Sequence, residues 1–350
     1  MEQITLPLDV WGFIVKRQDS VLSNMRLFQT CWLFYKELPA SLESFEPLDH
    51  ILTNEIVSKY RGLTRLDLLN NERIHDDTLM KLKDLKILYL DNVKSNEKRS
   101  PVTSKGVNSL SQLMKLSLIH NPWIEISGHE KLLSLNMSST KIDTINPQSL
   151  EKYTNLTELN ASYNRSVKIG RISMLMNLTS LNVTFTFVSV EEVSMLTNLT
   201  NLEIGFIPLE NSLRNLHLLK RLDLYRCRID PEYLRHLTNL TSLNMPHCYD
   251  YYELTNDVLS GFTQLTYLNI SGSRLVSDDS LMKLTQLRKL KIYGTEGKIT
   301  CNGLMTLPNL TTIDLCKDQL NQEFINPPQA IFEKIINTSA RNYFEFTDKK

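Results

Sequence analysis

The feature that most limits what this chain can fold into is a short unit, L-x-x-L-x-L, that returns twelve times along 350 residues. Its first Leu stands at Leu63, Leu85, Leu113, Leu132, Leu156, Leu178, Leu199, Leu219, Leu240, Leu265, Leu287 and Leu310, in steps of 22, 28, 19, 24, 22, 21, 20, 21, 25, 22 and 23 residues. A unit of this size cannot bury its apolar face alone, so the repetition describes a stack in which each unit is covered by its neighbours. Twelve parallel strands about 4.8 Å apart would line a face roughly 50 Å long.

The steps centre on the roughly 20 to 29 residues of leucine-rich repeats, and the chain resembles that family, whose pattern continues x-x-N/C-x-L. Here the N/C position holds Asn71, Val93, Asn121, Thr140, Asn164, Thr186, Ile207, Cys227, Cys248, Ser273, Thr295 and Asp318. A small polar group there is expected to turn inward and satisfy backbone groups where the chain leaves the strand, which makes Cys227 and Cys248 structural. RIHDDTLMKLKDL, residues 73–85, and RLVSDDSLMKLTQL, residues 274–287, repeat an apolar residue, an Asp and then Leu at helical spacing. They resemble the cysteine-containing subclass, which implies a full helix on the convex side; shorter middle units such as 178–196 predict short or 3₁₀ helices instead. The fold class is then α/β: a leucine-rich-repeat solenoid, a horseshoe with a parallel sheet on its concave face, spanning residues 63–325.

Solenoid ends need caps. Residues 326–350 offer one, with Ala330, Ile331, Phe332, Ile335 and Ile336 on a helix, and NEIVSKY, residues 54–60, predicts a cap helix that follows a linker in the segment 41–62. Pro39 and Pro47 mark that linker.

Residues 1–40 are left over. LPLDVWGFI, residues 6–14, followed by residues 19–38, resembles an F-box: Leu6, Pro7, Asp9, Val10 and Ile14 match its opening, and Leu22, Met25, Leu27, Cys31 and Phe34 match its second and third helices. F-box proteins very often carry the box ahead of leucine-rich repeats. The resemblance implies a small helical domain that binds a Skp-type adaptor, and through it a cullin, by Leu6, Pro7, Asp9, Val10, Ile14, Leu27 and Phe34. It implies a substrate receptor of a ubiquitin ligase, a monomer within a larger complex. Two other readings stay open: the segment is only a helical cap, or the protein is a stand-alone repeat scaffold.

Composition narrows the alternatives. Lys plus Arg and Asp plus Glu both number 39, so the chain lacks the basic excess of a general phosphate-backbone binder, and no nucleic-acid partner is expected. With 11 glycines and no G-x-x-x-x-G-K-[ST], G-x-G-x-x-G, G-x-S-x-G or H-E-x-x-H, neither a nucleotide loop, a catalytic motif nor a cofactor is expected. Five dispersed cysteines without C-x-x-C suggest neither a disulfide framework nor a zinc site. Glu2 and Asp9 spoil a secretory signal, and no apolar run approaches the ~18 residues of a membrane span, so cytosol or nucleus is the expected compartment. The acceptor triplets at Asn155, Asn177, Asn198, Asn239 and Asn309 are then by-products of a repeat that places Asn before its first Leu and Thr after it.

Register indicates what the concave face presents. Residues two, four, six and seven after each first Leu are expected to point outwards. Row four is mostly amide and acid. Row seven gives Tyr163, Phe185, Phe206, Arg226 and His247 from five consecutive units, with Tyr225 beside them. These residue types are enriched in binding hot spots, so this stripe is the candidate site for a protein substrate. The alternative folds the rings over the rim, under Phe187 and Val188 or Ile207 and Pro208. Loops at 94–105 and 248–257 are further candidates for recognition, or tolerated insertions.

Overall fold

The computed structural model describes residues 44–45, 52–92, 100–140, 150–164, 168–169, 171–206, 209, 213–227, 229–246, 254–292, 298–314 and 331. The F-box-like residues Leu6, Pro7, Asp9, Val10, Ile14, Leu27 and Phe34 lie outside them. So do His247 and Cys248, residues 94–99 and 248–253 of the two long loops, and the C-terminal cap apart from the buried Ile331.

The chain divides into two compact units, residues 1–131 and 132–350. In the first, strands Ser44–Phe45, Arg65–Asp67, Ile87–Tyr89 and Lys115–Ser117 pair side by side, all parallel and in chain order. The leading strand falls inside the segment expected to be linker. In the second unit, nine described strands continue the same rule from Ser134–Asn136 to Thr312–Asp314. Their central residues sit opposite one another in register, Leu202 facing Leu222, then Leu243, then Leu268, and all are buried. Period-two alternation turns them to the core and their neighbours to the open face.

Opposite each strand the chain returns through a segment anchored every third residue. Leu79, Leu82 and Leu85 are buried, as are Leu281, Leu284 and Leu287, and Leu304, Leu307 and Leu310. A spacing of three keeps residues eclipsed on a 3₁₀-like path, whereas an α-helix would rotate them off the core. The backbone follows the three-residue period: Leu284 N donates to Leu281 O at 2.8 Å and Leu287 N to Leu284 O at 2.9 Å. Full convex helices, expected from the cysteine-containing resemblance, therefore do not form among the described residues. Single turns take their place, such as Asp76–Leu79, Ser104–Asn108, Val190–Ser194, Asp278–Leu281 and Cys301–Met305, with 3₁₀ turns at Ile172–Met174 and Pro231–Leu234. The helix expected over residues 54–60 is present at Asn54–Ser58, with Thr53 Oγ1 accepting from Ile56 N at its start.

Neighbouring turns are tied together by a carboxylate. Asp278 accepts from Thr300 N at 2.9 Å and from Thr300 Oγ1 at 2.7 Å, and Asp76 does the same with Thr103 one repeat later. Each carboxylate lies where a side chain would otherwise stand on Gly303 or Gly106. The N-L-T triplets make two further ladders. Asn177, Asn198, Asn239 and Asn309 donate Nδ2 to Thr154, Met176, His217 and Thr285 O, while Thr179, Thr200, Thr241 and Thr311 donate Oγ1 to Thr157, Thr179, Lys220 and Arg288 O. Both ends of the triplet thus bridge to the repeat before, which is why the repeat keeps them. No helix among the described residues is long and apolar enough to cross a membrane.

Candidate functional site

The site is shaped where the chain leaves each strand. Row four ends the strand: Asn136, Asn160, Asn182, Asp223 and Asn269 each accept, through Oδ1, the amide two residues on. This Asx turn bends the chain inward. Row six was expected to point outwards with rows two, four and seven. The bend instead buries Ser162, Gly205, Pro246 and Ser271 and leaves Thr184 and Tyr225 only partly exposed. One position beyond row seven, the N/C residues close the turn. Asn164 donates to Met137, Ala161 and Ser162 O, Asn121 to Leu90 O, Asn71 to Leu52 O, and Cys227 Sγ to Ile204 O at 3.2 Å. These groups, Cys227 included, are structural as their row predicted.

Row seven, between these turns, is left-handed. Asn70, His120, Ser139, Tyr163, Phe185, Phe206 and Arg226 have φ between 52° and 62°, and Gly272 has φ 91°. Backbone of this kind favours Gly or Asn, and an L side chain there costs about 1–2 kcal/mol. Four consecutive units nevertheless place Tyr, Phe, Phe and Arg at it. The same turn recurs with Asn70, His120, Ser139 and Gly272, so the repeat sets the conformation and the side chain it presents is what differs.

The four side chains gather with Tyr225. Tyr163 stacks on Phe185 with ring centroids 4.9 Å apart, and Phe185 meets Phe206 at 4.1 Å. A Cβ on Gly205 would stand 2.8 Å from the Tyr225 carbonyl, so glycine allows the two turns to approach and brings the Tyr225 ring within 5.5 Å of Phe206. Arg226 completes the cluster, its Cζ 5.7 Å from the Phe206 ring and 5.6 Å from that of Tyr225. Tyr163 remains 59% exposed and Phe206 42%, while Phe185 and Tyr225 are half-buried. Val188 is buried and Phe187 is exposed. The structure brings together Tyr163, Phe185, Phe206, Tyr225 and Arg226; His247 is outside the described residues.

A polar row borders the rings. Glu203 and Asp223 stand opposite each other on adjacent strands. Burial and then the Asp223 carboxylate push Glu203 above the ordinary range, and burial pushes Asp223 up as well. Asn182 donates to Glu203, Asn244 to Asp223 and Asn269 to Asn244, so this row is braced by its own side chains. The arrangement offers apolar edges, a flat guanidinium and fixed polar groups. Among the described residues no three His, Cys, Asp or Glu side chains gather as a metal would need.

No family model matches the chain. Among solved structures it is similar to an internalin from Listeria monocytogenes, with a TM-score of 0.57 and 19% identity over 78% of this chain and 79% of that one. It is also similar to a leucine-rich-repeat protein from Leptospira interrogans, with a TM-score of 0.52 and 21% identity over 76% and 75% of the two chains. Together with the parallel sheet these likenesses establish the leucine-rich-repeat fold. Among curated proteins, adenylate cyclase of Schizosaccharomyces pombe is 24% identical over 265 residues, which is 73% of this chain and 15% of that enzyme. The chain thus spans a small fraction of that relative's length.

Proposed function

We propose that this chain is a protein-binding receptor whose repeats capture a protein partner on the open sheet face. Its N-terminal F-box-like segment couples that capture to a Skp-type adaptor and a cullin, making it a non-catalytic substrate-recognition subunit of a ubiquitin ligase in the cytosol or nucleus. The observation that carries the capture is the cluster of Tyr163, Phe185, Phe206, Tyr225 and Arg226, held open on left-handed backbone that the fold itself would rather fill with Gly or Asn. Aromatic residues and Arg are the types that dominate binding energy at protein interfaces. The ligase half rests on the sequence of residues 6–34 and their place ahead of the repeats.

The test is affinity purification of the tagged full chain. Adaptor and cullin should co-purify, and Leu6→Ala with Pro7→Ala should remove both while thermal unfolding of the repeats is unchanged. Phe185→Ala with Arg226→Ala should weaken substrate capture well over tenfold and leave adaptor binding intact, since hot-spot truncations cost about 2 kcal/mol or more each. Adaptor retained by the Leu6/Pro7 variant, or a loss of repeat stability in it, would discard the ligase reading. A stand-alone binding scaffold would then be the better description.

A further inference from the structure

The captured segment has a chemistry that the cluster itself specifies, and this inference rests on the docking reading above. Arg226 is exposed, and its guanidinium lies near the rings of both Phe206 and Tyr225. Cation–π attraction holds a guanidinium at this distance from a ring, and its planar N–H fork is shaped to take a carboxylate by two parallel hydrogen bonds. Among the described residues no carboxylate forms an ion pair with it, whereas Arg171 is paired with Glu151 and Arg235 with Glu232 and Asp257. The rings beside it already face one another at 4.1 to 4.9 Å, so what they offer a partner is mainly their edges, suited to an aliphatic side chain.

Distance sets the register. The guanidinium carbon is 5.7 Å from the Phe206 centroid. Side chains two apart on one face of an extended chain are separated by roughly 6.6 Å. The row of Glu203 and Asp223 runs alongside, three residues earlier in each repeat, and a polyanion lying on Arg226 would meet both carboxylates. A single carboxylate would not need to.

We propose that the stripe binds an extended segment of a partner protein carrying an aliphatic residue on Phe185 and Phe206 and, two residues further on, an Asp or Glu whose carboxylate is held by Arg226. A nucleic acid or a sulfated polysaccharide is the occupant that the Glu203/Asp223 row opposes.

The experiment uses the full chain and blocked synthetic peptides, with binding read by chemical-shift changes in the aromatic rings of the cluster. One peptide is acetyl-Gly-Leu-Ser-Asp-Gly-amide, the second replaces Asp by Asn, and the third moves Asp next to Leu. The first should bind at millimolar concentration and the other two about tenfold or more weakly, with Arg226→Gln abolishing the preference and thermal unfolding unchanged. If Asp and Asn peptides bind alike while Phe206→Ala abolishes both, the docking face stands and the carboxylate inference falls. If an oligothymidylate or heparin displaces the first peptide in an Arg226-dependent way, the surface takes polyanions and the inference falls. If no peptide shifts any ring, the inference falls, and the docking face then stands or falls with the Phe185/Arg226 capture test.

Discussion

Replacing Gly303 by Ala should destabilise the protein, although alanine is the better helix former. An added Cβ would stand 2.0 Å from Asp278 Oδ1, 2.2 Å from its Cγ and 2.8 Å from its Cβ, so the carboxylate must leave. It takes with it the bonds to Thr300 N at 2.9 Å and Thr300 Oγ1 at 2.7 Å. Bonds to a charged group are worth about 1.5–3 kcal/mol each, and the low end applies to this partly exposed pair, giving a loss of about 3 kcal/mol. The helix recovers about 1 kcal/mol from exchanging Gly for Ala. The net cost is about 2 kcal/mol, read from urea unfolding followed by circular dichroism. The decisive comparison is made in an Asp278→Gly background, where both the obstructing side chain and the bonds are already gone. There Gly303→Ala should change sign and stabilise by up to about 1 kcal/mol, a coupling of about 3 kcal/mol. Equal effects in the two backgrounds would refute the reasoning. Gly106 and Asp76 supply an independent repeat of the measurement, since a Cβ on Gly106 would lie 2.2 Å from Asp76 Oδ1.

Leu243→Ala, in a fully buried strand position, should cost about 2–5 kcal/mol, and the same change at Leu222 or Leu268 should cost a similar amount; hydrogen exchange should show the damage greatest in the adjoining repeats. His129, 1% exposed, occupies the position three before Leu132 where the other units have Leu or an aromatic residue, and neither ring nitrogen meets a partner in hydrogen-bonding geometry. Burial lowers its pKa, opposed in part by the Leu110 carbonyl, so the folded chain holds it neutral. The unfolded chain binds the proton more readily, so the stability present above about pH 6.5 is lost as pH falls from there through the lowered pKa of the folded chain. His129→Leu should remove this part of the acid sensitivity in a pH series of thermal unfolding. Tyr163→Gly should leave stability within about 1 kcal/mol of the parent, because relief of the left-handed backbone offsets the lost stack on Phe185, while partner capture weakens.

The strands were legible because alternation and a repeating period are local properties of the chain. Asn164 and Cys227 were legible for the same reason, each standing at a fixed distance from its first Leu. On the convex side Leu79, Leu82 and Leu85 read as helically spaced, but three is the step of a tighter path, and the buried row shows the difference. Row four was visible as amide and acid, but its work in Asx turns was not separated from recognition, and that is why Ser162 and Gly205 were expected to face outwards. The grip of Asp278 on Thr300 joins residues 22 apart and depends on an adjacent glycine, a contact that no single-repeat pattern announces. Tyr163, Phe185, Phe206 and Arg226 are recognisable by type and register, while their left-handed backbone and ring contacts are visible only in three dimensions.

The Asn and Thr ladders run one way. In each bridge the later repeat supplies the donor, and the carbonyl that receives it belongs to the repeat before. Asn164, reaching Met137 O, and Cys227, reaching Ile204 O, obey the same direction. In these ladders a chain synthesised from its N-terminus presents each acceptor before its donor emerges, and no Asn or Thr of them waits on sequence still inside the ribosome. Within the second unit each new turn can dock onto a finished edge, so for these ladders the order of translation and the order of bonding coincide.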